Sequence, residues 1–269
     1  MTAFTTHFSF EFKTGLRNST AMMMNYLFPL AFYGMMGVVM VAINPGYKDL
    51  LLPSMVIFAV MVSTILGLPG PLVESREAGV YRSFKINGVP ALSILSIPAL
   101  STTFHALIVS LLISLTAGPL FDGLQPVSWI NFALVALLTA FTFGGLGMLI
   151  GVISNNSRST VLWSQLIFLP SMLIGGLMMP LAALPESVRF FSGLLPSTYA
   201  MQAILGLAFG QKTLMDPRIC AMILAAAGLM AVLLSIYLFS WDDKNSARRG
   251  RPWMAILVMV PFIIGAFLA

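Results

Sequence analysis

Apolar residues gather into seven uncharged runs, at residues 21–42, 52–72, 91–117, 129–154, 160–181, 219–241 and 253–269, with short polar stretches between them. An apolar helix of about 20 residues, rising about 1.5 Å per residue, crosses a hydrocarbon core about 30 Å thick. The first six runs therefore predict transmembrane helices. The seventh, 17 residues long, is marginal for a span and fits an interfacial segment as well.

An eighth apolar stretch, residues 187–210, is interrupted by Gly193 and Pro196 into pieces too short to cross. Pro185 before it suits a helix N-terminus. A hairpin over 185–210 that dips into the bilayer and returns is expected, since irregular backbone is tolerated at membrane depth when packed against protein. The alternative is a kinked span that flips the C-terminal region.

The polar connections differ in character. Residues 73–90, VESREAGVYRSFKINGVP, carry Glu74, Arg76, Glu77, Arg82 and Lys85 between two long apolar runs, with Tyr81 and Phe84 among the charges. Just before them, Gly67, Pro69, Gly70 and Pro71 mark either a flexible joint or a helix end. At the start, residues 1–18 interleave Phe8, Phe10 and Phe12 with Glu11, Lys13 and Arg17. This pattern suits an amphipathic helix along the membrane interface, although the Phe alternation also fits a strand. It lacks the basic start and small-residue cleavage site of a signal peptide.

Composition turns this pattern into a class. With 58% hydrophobic residues, 9% charged residues and a mean hydropathy of +0.95, the chain exceeds what a water-soluble core can hide, so lipid must solvate much of its surface. The net charge of +5 is distributed unevenly. Lys13, Arg17, Arg76, Arg82, Lys85, Arg158, Lys244, Arg248, Arg249 and Arg251 fall on one side of the predicted membrane. Lys48, Arg189, Lys212 and Arg218 fall on the other, balanced by Asp49, Asp122, Glu186 and Asp216. Because cytoplasmic loops keep the excess of Lys and Arg, the N-terminus and residues 73–90 are expected in the cytoplasm. The positive charge is a topology signal and calls for no nucleic acid.

Catalytic chemistry is missing. There is no GxxxxGK[ST], no HExxH and no Cys/His cluster, and Cys220 is alone, so neither a nucleotide site, a metal site nor a disulfide framework is expected in this chain. Inside the spans, His105 beside Ser101, Thr102 and Thr103 is a candidate pathway residue, or a neutral imidazole bonded to a neighbouring helix. No carboxylate accompanies it, which counts against a proton- or sodium-driven transporter. Gly144, Gly145, Gly147 and Gly151 allow close helix approach, within the subunit or across a dimer. The Met-rich first span reads as packing or lipid-facing surface, with a greasy pathway as the alternative.

Three segments together resemble the ABC-2 type transporter permeases, membrane subunits of ATP-driven exporters similar to daunorubicin-resistance permeases. FSFEFKTGLRN, with Glu11, Lys13 and Arg17, resembles their elbow helix. ESREAG followed by Tyr81, Arg82, Lys85, Gly88 and Pro90 is similar to the loop before their third span, with Val80 where Thr is frequent. MPLAALPESVRFFSGLLPSTYAMQAI, with Pro180, Pro185, Arg189, Pro196 and Tyr199, resembles the signature before their last span and is the most specific.

The resemblance implies an all-α polytopic fold of the type V exporter kind. It would have an elbow helix at 1–18, a six-span domain at 19–241, and a basic loop with an extra apolar segment at 242–269. Residues 73–90 would form the coupling helix, with Glu74, Arg76, Glu77, Gly79, Tyr81, Arg82 and Lys85 at its contact with an ATPase. Two ATP-binding subunits, which would hold ATP and Mg, and a second permease subunit are the implied partners. Apolar spans with few charges argue for a hydrophobic or amphipathic cargo: a drug, a natural product or a lipid-like molecule. An ion-gradient-driven transporter and a non-transport scaffold or immunity protein are the competing readings.

Overall fold

The computed structural model describes residues 2–241 and 250–268; Lys244, Arg248 and Arg249 of the expected basic loop lie outside them. Regular structure among the described residues is helical throughout. Where the Phe alternation left helix and strand open, the chain forms a helix, α1 (Thr2–Arg17). It stops at Asn18, whose extended backbone turns the chain and whose side chain accepts from Ala21 N at 3.0 Å to start α2 (Ser19–Ile43).

The bundle continues with α3 (Pro45–Glu77), α4 (Val80–Ile86), α5 (Ala91–Phe121), α6 (Trp129–Ile153) and α7 (Ser157–Ile174). It ends with α8 (Glu186–Ser192), α9 (Pro196–Phe209), α10 (Pro217–Leu238), a 3₁₀ run (Pro252–Met259) and α11 (Val260–Leu268). Ser128 caps α6, the Asn156/Ser159 capping box starts α7, and the Asp216 side chain accepts from Arg218 N and Ile219 N to start α10.

Five of these helices, α2, α3, α5, α6 and α10, are long and apolar enough to cross a membrane among the described residues. The fifth apolar run of the sequence behaves differently. Its helix, α7, covers 18 residues or about 27 Å. It ends at Ile174 and not near 181, because Gly175 and Gly176 follow and Gly176 sits at φ 88°, a left-handed turn that suits glycine.

Burial identifies the centre. The apolar window of α3 is 89% buried and that of α6 is 72% buried, whereas α2 is only 22% buried and lies at the periphery. The small residues of α6 explain how α3 gets so close. A Cβ on Gly147 would run into the Thr64 carbonyl, and one on Gly151 would meet Leu72. This GxxxG therefore packs within the subunit. Several buried hydroxyls in the bundle are satisfied locally: Ser54, Ser110, Ser114, Thr139 and Ser235 each donate to the carbonyl four residues back. Thr142 also bonds Leu224 O on α10 at 2.9 Å.

Two ends of the bundle can be told apart. At one, Arg76 on α3 meets the end of α6, Tyr81 on α4 meets Phe239, and Gly250 meets Leu238. Glu11, Lys13, Arg17, Glu74, Glu77, Arg82, Lys85, Arg158 and Arg251 gather there. At the other end, Lys48 pairs with Asp122 at 3.1 Å and Tyr47 donates to Leu177 O at 2.9 Å.

The chain leaves α7 and begins α10 at this second end, and everything between them is packed there. At 14 residues, about 21 Å, α9 is too short to cross a 30 Å core. Its last carbonyls, at Leu207 and Ala208, bond Asn131 Nδ2 and Ser128 N at the start of α6.

The C-terminal segment runs back along α10. Gly250 lies against Leu238, and Gly265 lies against Ile223 and Tyr199. Its first eight residues are 3₁₀, which rises about 2.0 Å per residue against about 1.5 Å in an α-helix. Pro252–Leu268 thus reaches about 30 Å, the thickness of a hydrocarbon core, which its residue number alone would not give.

Candidate functional site

The 73–90 segment is two helical pieces and a turn. Residues 73–77 complete α3, which at 33 residues is about 50 Å long and overshoots a 30 Å core by several turns. The Gly67–Pro71 cluster does not end that helix. It sits where a π-helical turn, Val62–Gly67, passes into the final α-helical turns, Pro69–Glu77. Gly79, at φ 75°, then reverses the chain into α4, and Pro90 precedes α5. Only a residue at ease with positive φ fits the position of Gly79.

Within this element the charged residues divide into two groups. Arg76 is 4% exposed; its guanidinium donates to Gly151 O at 3.3 Å, Val152 O at 3.1 Å and also Ser154 O, the free carbonyls at the end of α6. A cation at the negative end of a helix is favourable, and the planar fork lets one side chain reach three acceptors. Tyr81 is also buried and donates to Leu72 O at 2.9 Å. Burial pushes its phenol well above the ordinary range, opposed by the nearby Arg76 charge and reinforced by Glu11, so it remains a donor. Glu74, Glu77, Arg82 and Lys85 are exposed, and Ile86 is 86% exposed. Arg76 and Tyr81, expected at the contact surface, instead tie the element to the bundle. The remaining charges and Ile86 form its outer face.

The N-terminal helix joins the same end. Phe8 and Phe12 pack edge-on to Phe104 of α5, at 6.4 and 6.0 Å. His7 pairs with Glu11 at 3.6 Å and its ring lies 5.7 Å from Phe84 of α4. Lys13 and Arg17 are exposed. Thus α1 touches both α5 and the outer element.

His105 joins α1, α2 and α5. Its ring stacks on Phe12 at 4.3 Å, and its Nδ1 lies 2.6 Å from the Tyr26 hydroxyl. The Tyr26 contact is a bond to a neighbouring helix of the kind that the sequence allowed, and the same residue lines the cleft among α1, α2, α3, α5 and α7. Nε2 faces the α1 backbone at Gly15 without a hydrogen-bond partner.

The signature before the last span has a buried centre. Tyr199 is fully buried, and its hydroxyl lies 2.5 Å from Gly193 O and 3.0 Å from Phe262 O, so it links the α8–α9 turn to α11. Arg189 donates to Leu184 O at 3.1 Å, Pro196 starts α9, and Pro180 and Pro185 are exposed around the short turn before α8.

Sequence comparison decides the lineage of this arrangement. The family model described as ABC-2 type transporter matches residues 2–209, from α1 through α9. The chain belongs to the ABC-2 type transporter family. It is also similar to the "Putative transport permease YvfS" of Bacillus subtilis (strain 168), 27% identical over 191 residues, covering 70% of this chain and 78% of that protein. This ABC-2 chain is accordingly a membrane transport permease. Of the residues that matter here, Arg76 lies beyond the uncharged run 52–72, in the polar segment 73–90, which is why the sequence points it toward a contact surface. Extended to Glu77, the helix of the second span places Arg76 one turn after Leu72 and Val73 on the buried face.

Proposed function

We propose that this permease is the membrane subunit of an ATP-driven exporter. It receives an ATP-binding subunit on the outer face of α3 and α4, pairs with a second permease subunit, and moves a hydrophobic or amphipathic molecule across the cytoplasmic membrane. Family membership supports transport. The observation that carries the coupling role is the division within residues 74–86: two buried anchors fix the element, and its other charges are exposed around Ile86.

An element at the tip of α3 and at the start of α5 is a suitable lever, because both helices overshoot the bilayer and run through the bundle. Closure of two ATPase subunits would tilt α3 against α6 through the Arg76 contact. The excess of Lys and Arg at this end favours a cytoplasmic location for it and for the N-terminus. In that setting α1 lies along the interface as the elbow, with Phe10 and Leu16 exposed to headgroups. The α8–α9 pair then forms the re-entrant hairpin at the outer side. ATP and Mg would be bound by the partner.

Reconstitution tests this. Purified with its ATPase and placed in vesicles, the wild-type chain should export an amphipathic fluorophore only with hydrolysable ATP. The double variant Glu77→Lys/Arg82→Glu should fold normally and lose export. Transport that continues at the wild-type rate in this variant, or that follows an ion gradient without ATP, contradicts the proposal.

A further inference from the structure

We infer that the cleft between α1, α2, α3, α5 and α7 binds a cationic amphiphile that carries a hydrogen-bond donor. The inference deepens the export reading by giving the cargo a chemical class.

The cleft holds about 510 Å³, within the range of small-molecule sites. On α2 its wall runs from Asn18 to Asn25, on α5 from Pro98 to His105, and on α3 and α7 over similar lengths at the same end. Seven residues of helix make it about 10 Å deep. Its charged lining is of one sign: Glu11 and Glu74 line it, and among the described residues no lysine or arginine does. This end of the molecule is otherwise rich in basic residues, so the cleft is an acidic recess in a basic surface. Glu11 meets His7 through one carboxylate oxygen, at 3.6 Å.

Acidic residues alone would not make a site. The deeper observation is Asn25, which lines the cleft, is 5% exposed, and has an Oδ1 with no hydrogen-bond partner. A buried acceptor left unpaired in a membrane bundle calls for a donor. Ser101, Thr102, Ser164 and Gln165 add polar groups around it, while Met24, Leu66 and Val161 supply apolar wall. Two π-helical turns also converge here. Met23–Leu27 carries Asn25, Val62–Gly67 carries Leu66 and Gly67, and the Cβ position of Gly67 lies 3.6 Å from Asn25 Oδ1. Such turns cluster at functional sites because they re-aim side chains and loosen the backbone ladder. A donor-bearing head at Asn25, a positive charge toward Glu11 and Glu74, and an apolar body along α2 and α7 match the Asn25 acceptor, the two carboxylates and the apolar wall. An anionic amphiphile would meet two carboxylates.

The test needs no nucleotide, so it can fail while export stands. The full-length chain in phosphatidylcholine nanodiscs is titrated with a fluorescent long-chain amine and with the matched carboxylate, which differ only in the head group. The amine should bind saturably and the carboxylate should not. Glu11→Gln/Glu74→Gln should raise the amine Kd about tenfold, and Asn25→Leu by a similar factor. Asn25→Asp, which keeps the shape and adds charge, should tighten it, and it decides the matter if Asn25→Leu does not fold. Equal affinity for the carboxylate, or amine affinity unchanged in these variants, overturns the inference.

Discussion

Arg76 holds three carbonyls at the end of α6, and removing it would leave them short of donors in a buried place. Arg76→Ala should therefore destabilise the folded chain by about 3 kcal/mol, measured as a lower thermal midpoint in detergent, and Arg76→Lys should recover only part because an ammonium lacks the fork. Tyr81→Phe should cost less, about 1 kcal/mol. Burial raises the Tyr81 phenol, so its contribution is present throughout the neutral range and is lost as pH rises beyond the ordinary tyrosine range. Gly147 offers a cleaner contrast. Gly147→Ala should lower stability by about 1–3 kcal/mol, since its methyl meets the Thr64 backbone, whereas Gly34→Ala, with open space around it, should be nearly silent.

At the scale of elements, the apolar runs and their breaks were readable from the sequence, because a hydrocarbon core imposes a length that composition cannot disguise. The α8–α9 break at Gly193 and Pro196 follows from short-range chemistry, whereas the helix starts at Asn18, Ser128 and Asp216 are seen only in the structure, because polar residues are common between the runs. Local rules did not reveal that α3 continues through two prolines to Glu77, since a π-helical turn absorbs the irregularity and only packing against α6 shows which face is buried. The C-terminal run was ambiguous for a similar reason: its reach depends on a 3₁₀ rise that periodicity does not report. Its crossing can be tested with few changes, because the chain's single cysteine, Cys220, is buried. A cysteine replacing Phe267, which is 76% exposed, should react with a membrane-impermeant thiol reagent from outside the cell, and one replacing Arg251 should not. Labelling of both from the same side would make the segment interfacial.

Across the whole molecule, the candidate docking face sits where two over-long helices leave the bundle, held by Arg76 and Tyr81 and touched by α1 through His7 and Phe84. The most direct measurement of its purpose is photo-crosslinking at position 86, using a benzophenone amino acid in place of the 86%-exposed Ile86. Position 130 at the opposite end, where Ile130 is 74% exposed, serves as the control. In membranes that also contain the proposed ATP-binding subunit, position 86 should crosslink to that subunit and position 130 should not. A position 86 probe that captures only lipid, or no more ATPase than position 130, would contradict the assignment of this face as the ATPase contact.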